Sequence, residues 1–173
     1  MLISLYRGTS FVSRCIQRAT RSPYSHAAMT NEEDGRTWEA WHVSENGNLF
    51  GGHFREIETP WTGHTPGTPV EFYAVAGMTP AIHARIRAKC DEWAARRIQY
   101  DYVQILRFLT RSQRGSGPDE SDRLFCSEAV VLGFRHGCLP FINSPASRTT
   151  PGHLLWSTLL TRVHPAWVPP SPS

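Results

Sequence analysis

The chain has 173 residues, of which 40% are hydrophobic and 19% are charged, and these proportions are typical of an ordered globular protein. No apolar stretch approaches the roughly 18 residues that a membrane-spanning helix needs, and the N-terminus lacks the basic start and cleavage site of a secretion signal. The net charge of +3 comes from scattered arginines that are not interleaved with aromatic residues, so we expect no nucleic-acid partner.

These features predict one domain over residues 1–168 and a disordered tail over residues 169–173, because the tail has no core-forming residues. We expect a cytoplasmic location without stable membrane insertion, and signal-independent export stays open. The oligomeric state is not indicated by the sequence.

The first half of the chain predicts three strands and a helix. The apolar run at 2–6 predicts a strand. Residues 25–30 and 36–43 predict a hairpin, because the Asp-Gly pair between them is a turn signal. Residues 10–20 predict a helix that Thr9 or Ser10 caps. Its apolar face consists of Phe11, Val12, Cys15, Ile16 and Ala19.

The second half continues this mixture of strands and helices. Further strands are predicted within 47–57 and at 70–76, on either side of a proline- and glycine-rich loop at 59–69. Helices are predicted from Thr79-Pro80 to about Arg97, over 100–110, from Cys126 to a stop at Gly137, and, as a short helix, within 148–160. Strands cluster early and helices flank them, so the predicted fold class is α+β.

Cys126 has the sequence context of a reactive thiol, because it follows an exposed connection at 113–122 and opens a helix. The positive end of the helix dipole and the unpaired N–H groups there lower a thiol pKa from about 8.5 and can stabilise an oxyanion. Cys15 and Cys90 lie at apolar positions of predicted helices and are expected in the core, whereas Cys138 has no evident partner.

A nucleophile at Cys126 needs a general base and a group that orients the base. His26, at the start of a predicted strand, and Glu39, on the partner strand, are the candidates. A loop over 31–34 would pair His26 directly with Glu39, whereas a two-residue Asp-Gly turn would pair His26 with Val43 and leave Glu39 on the same face. Either hairpin permits a Cys–His–Glu triad.

The order of these segments resembles the permuted papain-like cysteine hydrolases, in the NlpC-type branch that includes YaeF/YiiX-like proteins, and more distantly the lecithin:retinol acyltransferase-like enzymes. The resembling segments are "LYRGTSFVSRCIQRATRSPYSHAAM", "TWEAWHV", "YDYVQILRF" and "LFCSEAVVLGF", which span most of residues 3 to 134. The resemblance implies a small antiparallel sheet or partial barrel packed against the cysteine helix. It also implies that Cys126 is the nucleophile, His26 the base and Glu39 the orienting residue. Residues 135–173 have no counterpart in it.

The expected function is therefore hydrolysis of a peptide amide, such as a cell-wall stem peptide, through a thioester. Lipid acyl hydrolysis or transfer and a catalytically inactive binding module are the alternatives. An apolar surround at the site would favour lipid, and a polar groove would favour peptide. Secondary candidates are Ser25 at the pocket mouth, Tyr100 as a hydroxyl donor and Trp41 as a pocket wall, although core packing is the expected role of Trp38 and Trp41. We expect no cofactor and no metal, because the histidines show no ligand spacing with one another or with the cysteines.

Overall fold

The computed structural model describes residues 1–43, 51–103 and 123–166, and its fold is α+β, as predicted. The strands are β1 (Leu2–Tyr6), β2 (His26–Thr30), β3 (Thr37–Ala40), β4 (Phe54–Ile57), β5 (Val70–Val75), β6 (Gln99–Tyr100), β7 (Arg123–Leu124) and β8 (Leu160–Val163). The α-helices are α1 (Phe11–Thr20), α2 (Pro80–Ala95) and α3 (Cys126–His136), and 3₁₀ helices cover Ala146–Arg148 and Pro151–Trp156.

Six strands form one antiparallel sheet in the order β4-β3-β2-β1-β5-β8, and β6 and β7 form a separate parallel pair. One face of the large sheet packs on α3, which also contacts α2. Leu5, Met29 and Trp38 point to this face and are buried with Val130 of α3. A Cβ at Gly133 would lie 2.7 Å from the Met29 sulfur, so this glycine lets α3 approach β2 closely.

Polar side chains occupy the opposite face of the same strands, because successive residues of a strand alternate between faces. Ser4 Oγ lies 2.5 Å from Thr30 Oγ1, which lies 2.9 Å from Thr37 Oγ1, and all three residues are fully buried. Their hydroxyls satisfy one another, so this face tolerates burial without apolar side chains. Glu39 shares the face and lies two residues along β3 from Thr37.

The β2–β3 hairpin forms, but both predicted registers are wrong. Met29 pairs with Trp38, and a bond from Asn31 N to Arg36 O closes a four-residue loop over 32–35. This loop has the same length as the predicted loop over 31–34, but it begins one residue later in the chain. Gly35 ends it with φ of 77°, a conformation that glycine adopts without strain. In the first predicted register Glu39 lies directly opposite His26, and in the second it is displaced along the strand. The observed displacement lies between these two.

Helix α1 begins after the predicted cap, since Ser10 Oγ accepts a hydrogen bond from Ser13 N. Its predicted apolar face is wrong in part, because Ile16 alone is fully buried and Phe11 is 82% exposed. Tyr100 does not begin a helix but lies in β6, where the backbone pairs with β7. The predicted helix over 100–110 falls mostly, and the loop over 113–122 and the tail over 169–173 wholly, outside the described residues.

Candidate active site

Glu39 lies at the centre of a polar cluster on the face opposite α3. Its side chain is fully buried, and its two oxygens divide the partners between them. Oε1 accepts two bonds from the Arg55 guanidinium, at 2.9 Å from Nε and 2.6 Å from Nη2. Oε2 accepts from His26 Nε2 at 2.8 Å and from His64 Nε2 at 3.0 Å. Four hydrogen bonds hold the carboxylate in one orientation.

The surroundings of Glu39 and His26 shift the pKa values of both groups. Burial alone would raise the pKa of Glu39, but the hydrogen bonds from His26 and His64 outweigh burial and hold that pKa well below the usual range. Burial also lowers the pKa of His26, and the Glu39 charge offsets this shift only in part. His26 is therefore neutral near pH 7. Because an ionised carboxylate can only accept, the His26 proton is on Nε2 and Nδ1 carries the lone pair.

His64 is one of two cluster members, with Arg55, that the sequence analysis did not identify. It lies in the loop between β4 and β5, and its ring stacks on Tyr6 at 4.4 Å and meets the edge of Trp41 at 4.6 Å. Arg55 also packs over the Trp41 ring, at 4.6 Å from the centroid. The only sequence signal for His64 is its position in a glycine-rich loop, and such a loop does not indicate which strand it covers.

Cys126 is the first residue of α3 and lies against the start of β2. Phe125 precedes it as N-cap and offers no side-chain cap, while Glu128 Oε2 accepts from Phe125 N at 3.2 Å. The backbone N–H groups of Ala27, Ser127 and Cys126 act on the thiol. Ala27 directly follows His26 in the chain. In the described part of the chain, no hydrogen bond joins Cys126 to His26.

The expected low thiol pKa is wrong for this ground state. Cys126 is 1% exposed, and burial raises its pKa to about 12, although the three backbone N–H groups act in the opposite direction. The N–H groups at the helix N-terminus lower the pKa of Cys126, as expected, but the desolvation of the thiolate raises it by more. Cys126 is therefore a neutral thiol at rest.

A pocket of about 160 Å³ opens beside the cluster. Ser25, Trp41 and Tyr100, the three secondary candidates, all line it, together with His26 and His64. The other lining residues are Tyr6, Gly8, Thr9, Ser10, Val12, Ser13, Ile16, His42, Val43, Gly63, Thr65 and Thr68. Aspartate, glutamate, lysine and arginine are absent from this lining, so the described wall is uncharged.

Tyr100 connects the pocket with Cys126. Its ring packs on Phe125, with centroids 5.8 Å apart. Burial raises the pKa of Tyr100 well above its usual value. The hydroxyl therefore stays neutral and can donate. Ser25 Oγ accepts from Gly8 N at 3.1 Å, so it holds the segment that leads into α1.

The other three cysteines and Trp38 are not among the residues that line the pocket. All four cysteines are free, Cys90 is buried in the core as predicted, and Cys15 is only half-buried. Cys138 is exposed and has φ of 64°. Trp38 is buried in the core as expected and donates from Nε1 to Asp91 Oδ1 at 2.9 Å.

The atoms of His26, Glu39 and His64 that face one another lie within 4.8 Å of one another, so these residues could hold a metal ion. Two imidazole nitrogens and one carboxylate oxygen are donors that suit zinc. The set comes from β2, β3 and a loop, which explains why spacing in the sequence did not indicate it. Tyr6, whose ring packs on both histidines, has a buried hydroxyl without a hydrogen-bond partner among the described residues.

Comparison with known proteins supports the fold. No family model and no curated protein matches the chain. Among solved structures, the chain is similar to the metalloprotein YiiX of Escherichia coli O157:H7, assigned to DUF1105, with a TM-score of 0.62 and 16% sequence identity over 96% of this chain and 97% of that one. At this identity the similarity shows a common fold only. Among the described helices, none has the length and hydrophobicity to cross a bilayer.

Proposed function

We propose that the protein is a cysteine hydrolase of the permuted papain-like type, which cleaves a carboxylic amide or ester through a thioester on Cys126. One observation carries the proposal. The Cys126 thiol lies at a helix N-terminus against the backbone N–H of Ala27, and the preceding residue, His26, is bonded to the buried carboxylate of Glu39. The N–H that acts on the nucleophile thus belongs to the residue after the candidate base, and the base is hydrogen-bonded to an orienting carboxylate.

In this mechanism, the Cys126 side chain rotates toward His26, whose ring stays bonded to Glu39, and His26 Nδ1 accepts the proton of the thiol. Glu39 holds the His26 ring by Nε2 and stabilises its cationic form. The sulfur attacks the carbonyl carbon, and the N–H of Cys126, with the Tyr100 hydroxyl, stabilises the oxyanion. His26 returns the proton to the leaving amine or alcohol. Water then attacks the thioester and releases the acid and the free thiol.

The pocket favours an acyl group without charge over a charged stem peptide. Its described lining combines hydroxyls with the side chains of Val12, Ile16 and Trp41 and has no acidic, lysine or arginine residue. A peptide that carries several carboxylates would lose hydration there without gaining an ion pair. A lipid acyl amide or ester is therefore the first substrate class to test, and an uncharged peptide amide is the second.

The test is acyl-enzyme formation with p-nitrophenyl butyrate, in protein treated with EDTA. The proposal expects a burst of p-nitrophenolate, a mass increase of one butyryl group on the Cys126 peptide, and loss of both in Cys126→Ser. His26→Ala should slow the burst by at least about 100-fold. A burst that survives in Cys126→Ser, or no adduct in the wild type, would contradict the proposal and leave a binding module. Cys138→Ser is the matched control.

A divalent metal site is the second candidate function, because His26, Glu39 and His64 converge and the similar structure is described as a metalloprotein. The two functions compete for the same atoms. A bound ion would take the Nε2 lone pairs, so both histidines would have to move their protons to Nδ1. His26 could not then act as a base at Nδ1.

Calorimetric titration of EDTA-treated protein with Zn²⁺ tests this candidate. One equivalent should bind to the wild type and to Cys126→Ser, and His64→Ala should weaken binding by at least about tenfold. His136→Ala, which removes an exposed histidine from α3, should bind as the wild type does. Equal binding by the His64 and His136 variants would contradict a metal site in the cluster.

A further inference from the structure

The N-terminal segment of the chain carries charge of one sign. Residues 1–31 contain no aspartate or glutamate, and Arg14, Arg18 and Arg21 lie within or just after α1. All three arginines are exposed, and none forms an ion pair in the described part of the chain. The other arginine of this segment, Arg7, is paired with Glu71. The helix therefore presents uncompensated positive charge.

The same helix exposes a large apolar side chain. Phe11 is 82% exposed, the highest fraction among the large hydrophobic residues that the structure describes as exposed. Phe11, Arg14 and Arg18 are three and four residues apart, so they lie along one face of α1. Arg21 follows at the C-cap with φ of 52°. Exposed arginines attract anionic lipid headgroups, and an exposed aromatic ring can insert into the membrane interface beside them.

The inward face of α1 forms part of the pocket. Val12, Ser13 and Ile16 line the pocket beside His26, whereas Phe11 and Arg14 point away from it. Gln17 Nε2 donates to Gly8 O at 3.0 Å and to Pro23 O at 2.9 Å, so the segments that lead into and out of the helix are bonded to it. A surface that binds the outer face of α1 would therefore lie next to the pocket.

We propose that α1 docks the protein peripherally on an anionic lipid surface, through Phe11 and the three arginines. The occupant is a lipid bilayer because charge and apolar exposure coincide on one face, and a soluble anion would use the arginines alone. Docking would bring the pocket to the source of a lipid acyl substrate, but the binding surface is independent of the chemistry at Cys126.

Vesicle sedimentation with the full chain tests the proposal. The expected result is binding to phosphatidylcholine vesicles that contain about 30% phosphatidylglycerol and little binding to pure phosphatidylcholine. The triple variant Arg14→Gln/Arg18→Gln/Arg21→Gln should bind about 100-fold more weakly, and Phe11→Ser about tenfold more weakly. Cys126→Ser should bind as the wild type does, which separates this result from the fate of the proposed hydrolase.

The matched control changes three arginines, two exposed and one half-buried, that are each paired with an acidic residue. Arg36 pairs with Glu56, Arg87 with Asp91 and Arg96 with Glu92. Their triple glutamine variant has the same net charge as the α1 variant and should retain vesicle binding. Equal losses in both triple variants, or no binding of the wild type, would overturn the proposal. Binding to heparin that equals vesicle binding and does not depend on Phe11 would overturn it in favour of an acidic macromolecule.

Discussion

At the scale of single residues, a hydrogen bond orients the candidate base, and burial keeps the candidate nucleophile neutral. His26 and Glu39 are hydrogen-bonded at 2.8 Å. The pKa of Cys126, however, is raised to about 12, because burial outweighs the helix N-terminus. Burial depends on what packs above a residue, and local sequence does not contain that information. The same limit explains why His64 was missed.

The first residue-scale prediction concerns the reactivity of Cys126. Because the thiol is buried and its pKa is raised, iodoacetamide should label Cys126 at pH 7 at least about 100-fold more slowly than exposed Cys138. The rate for Cys126 should still rise between pH 8 and pH 10. Peptide mapping of the native protein after timed alkylation measures both sites at once. A rate for Cys126 that levels off below pH 8 would show an activated thiolate at rest and contradict this ground state.

The second residue-scale prediction separates the two contacts of His64. His64→Phe keeps a ring against Tyr6 but removes a donor from the buried carboxylate of Glu39, so it should lower the free energy of unfolding by about 2 kcal/mol. His64→Gln loses the ring but can still donate from its amide, so its loss should be smaller. Urea denaturation at pH 7 measures both. The opposite order would mean that ring stacking, and not the hydrogen bond, secures this loop.

At the scale of elements, hydrophobic alternation predicted the strands, but it did not predict their register or the loop geometry. The loop over 32–35 lies one residue beyond the expected position because Gly35 takes the position with positive φ. The β4–β5 loop was correctly predicted as irregular, yet its path brings His64 onto Glu39 and Gly63 onto Arg55. Long-range contacts of this kind select one conformation from many that the local sequence allows.

The β4–β5 loop offers a matched pair of glycines for a test. Gly63 has φ of 80° and Gly67 has φ of 79°, so alanine at either position should cost about 1 kcal/mol of stability. A Cβ at Gly63 would also lie 2.9 Å from Arg55 Nη2, whereas a Cβ at Gly67 would meet nothing within 4 Å. Gly63→Ala should therefore displace Arg55 and slow acylation of Cys126 by about tenfold.

Burst kinetics measure the acylation rates of both glycine variants, and urea denaturation measures their free energies of unfolding. Comparable stability losses together with slow acylation in Gly63→Ala alone would support a positioning role of Arg55. Equal acylation rates in the two variants would show that the Arg55–Glu39 ion pair does not affect the reaction.

At the scale of the whole molecule, the α+β class was predictable because strands and helices have distinct periodicities along the chain. The difference in polarity between the two faces of the sheet was not predictable in this way. One face packs apolar residues on α3, while the other buries hydroxyls, Tyr6 and the Glu39 cluster. Burying polar groups is possible only when their partners come from distant segments, so the polar face depends on the complete fold.

This arrangement makes global stability sensitive to mild acid. Burial lowers the pKa of His26, and it lowers the pKa of His42 from 6.5 to about 4. Below pH 6.5 the unfolded chain binds protons that the folded chain does not, so the free energy of unfolding should fall as the pH drops from 6.5 to 4.5. Glu39 acts in a lower window, because its pKa is below the usual value and its contribution is lost only under about pH 4.5.

Urea denaturation between pH 7 and pH 4.5 therefore isolates the histidine contribution. His42→Gln should reduce the loss of stability over this interval, and His136→Gln, at an exposed position of α3, should leave it unchanged. If the wild type keeps the same free energy of unfolding from pH 6.5 to pH 4.5, the folded protein must accept protons on these histidines. Burial would then not lower the pKa of His26, and the proposed mechanism would lose the neutral His26 that it requires.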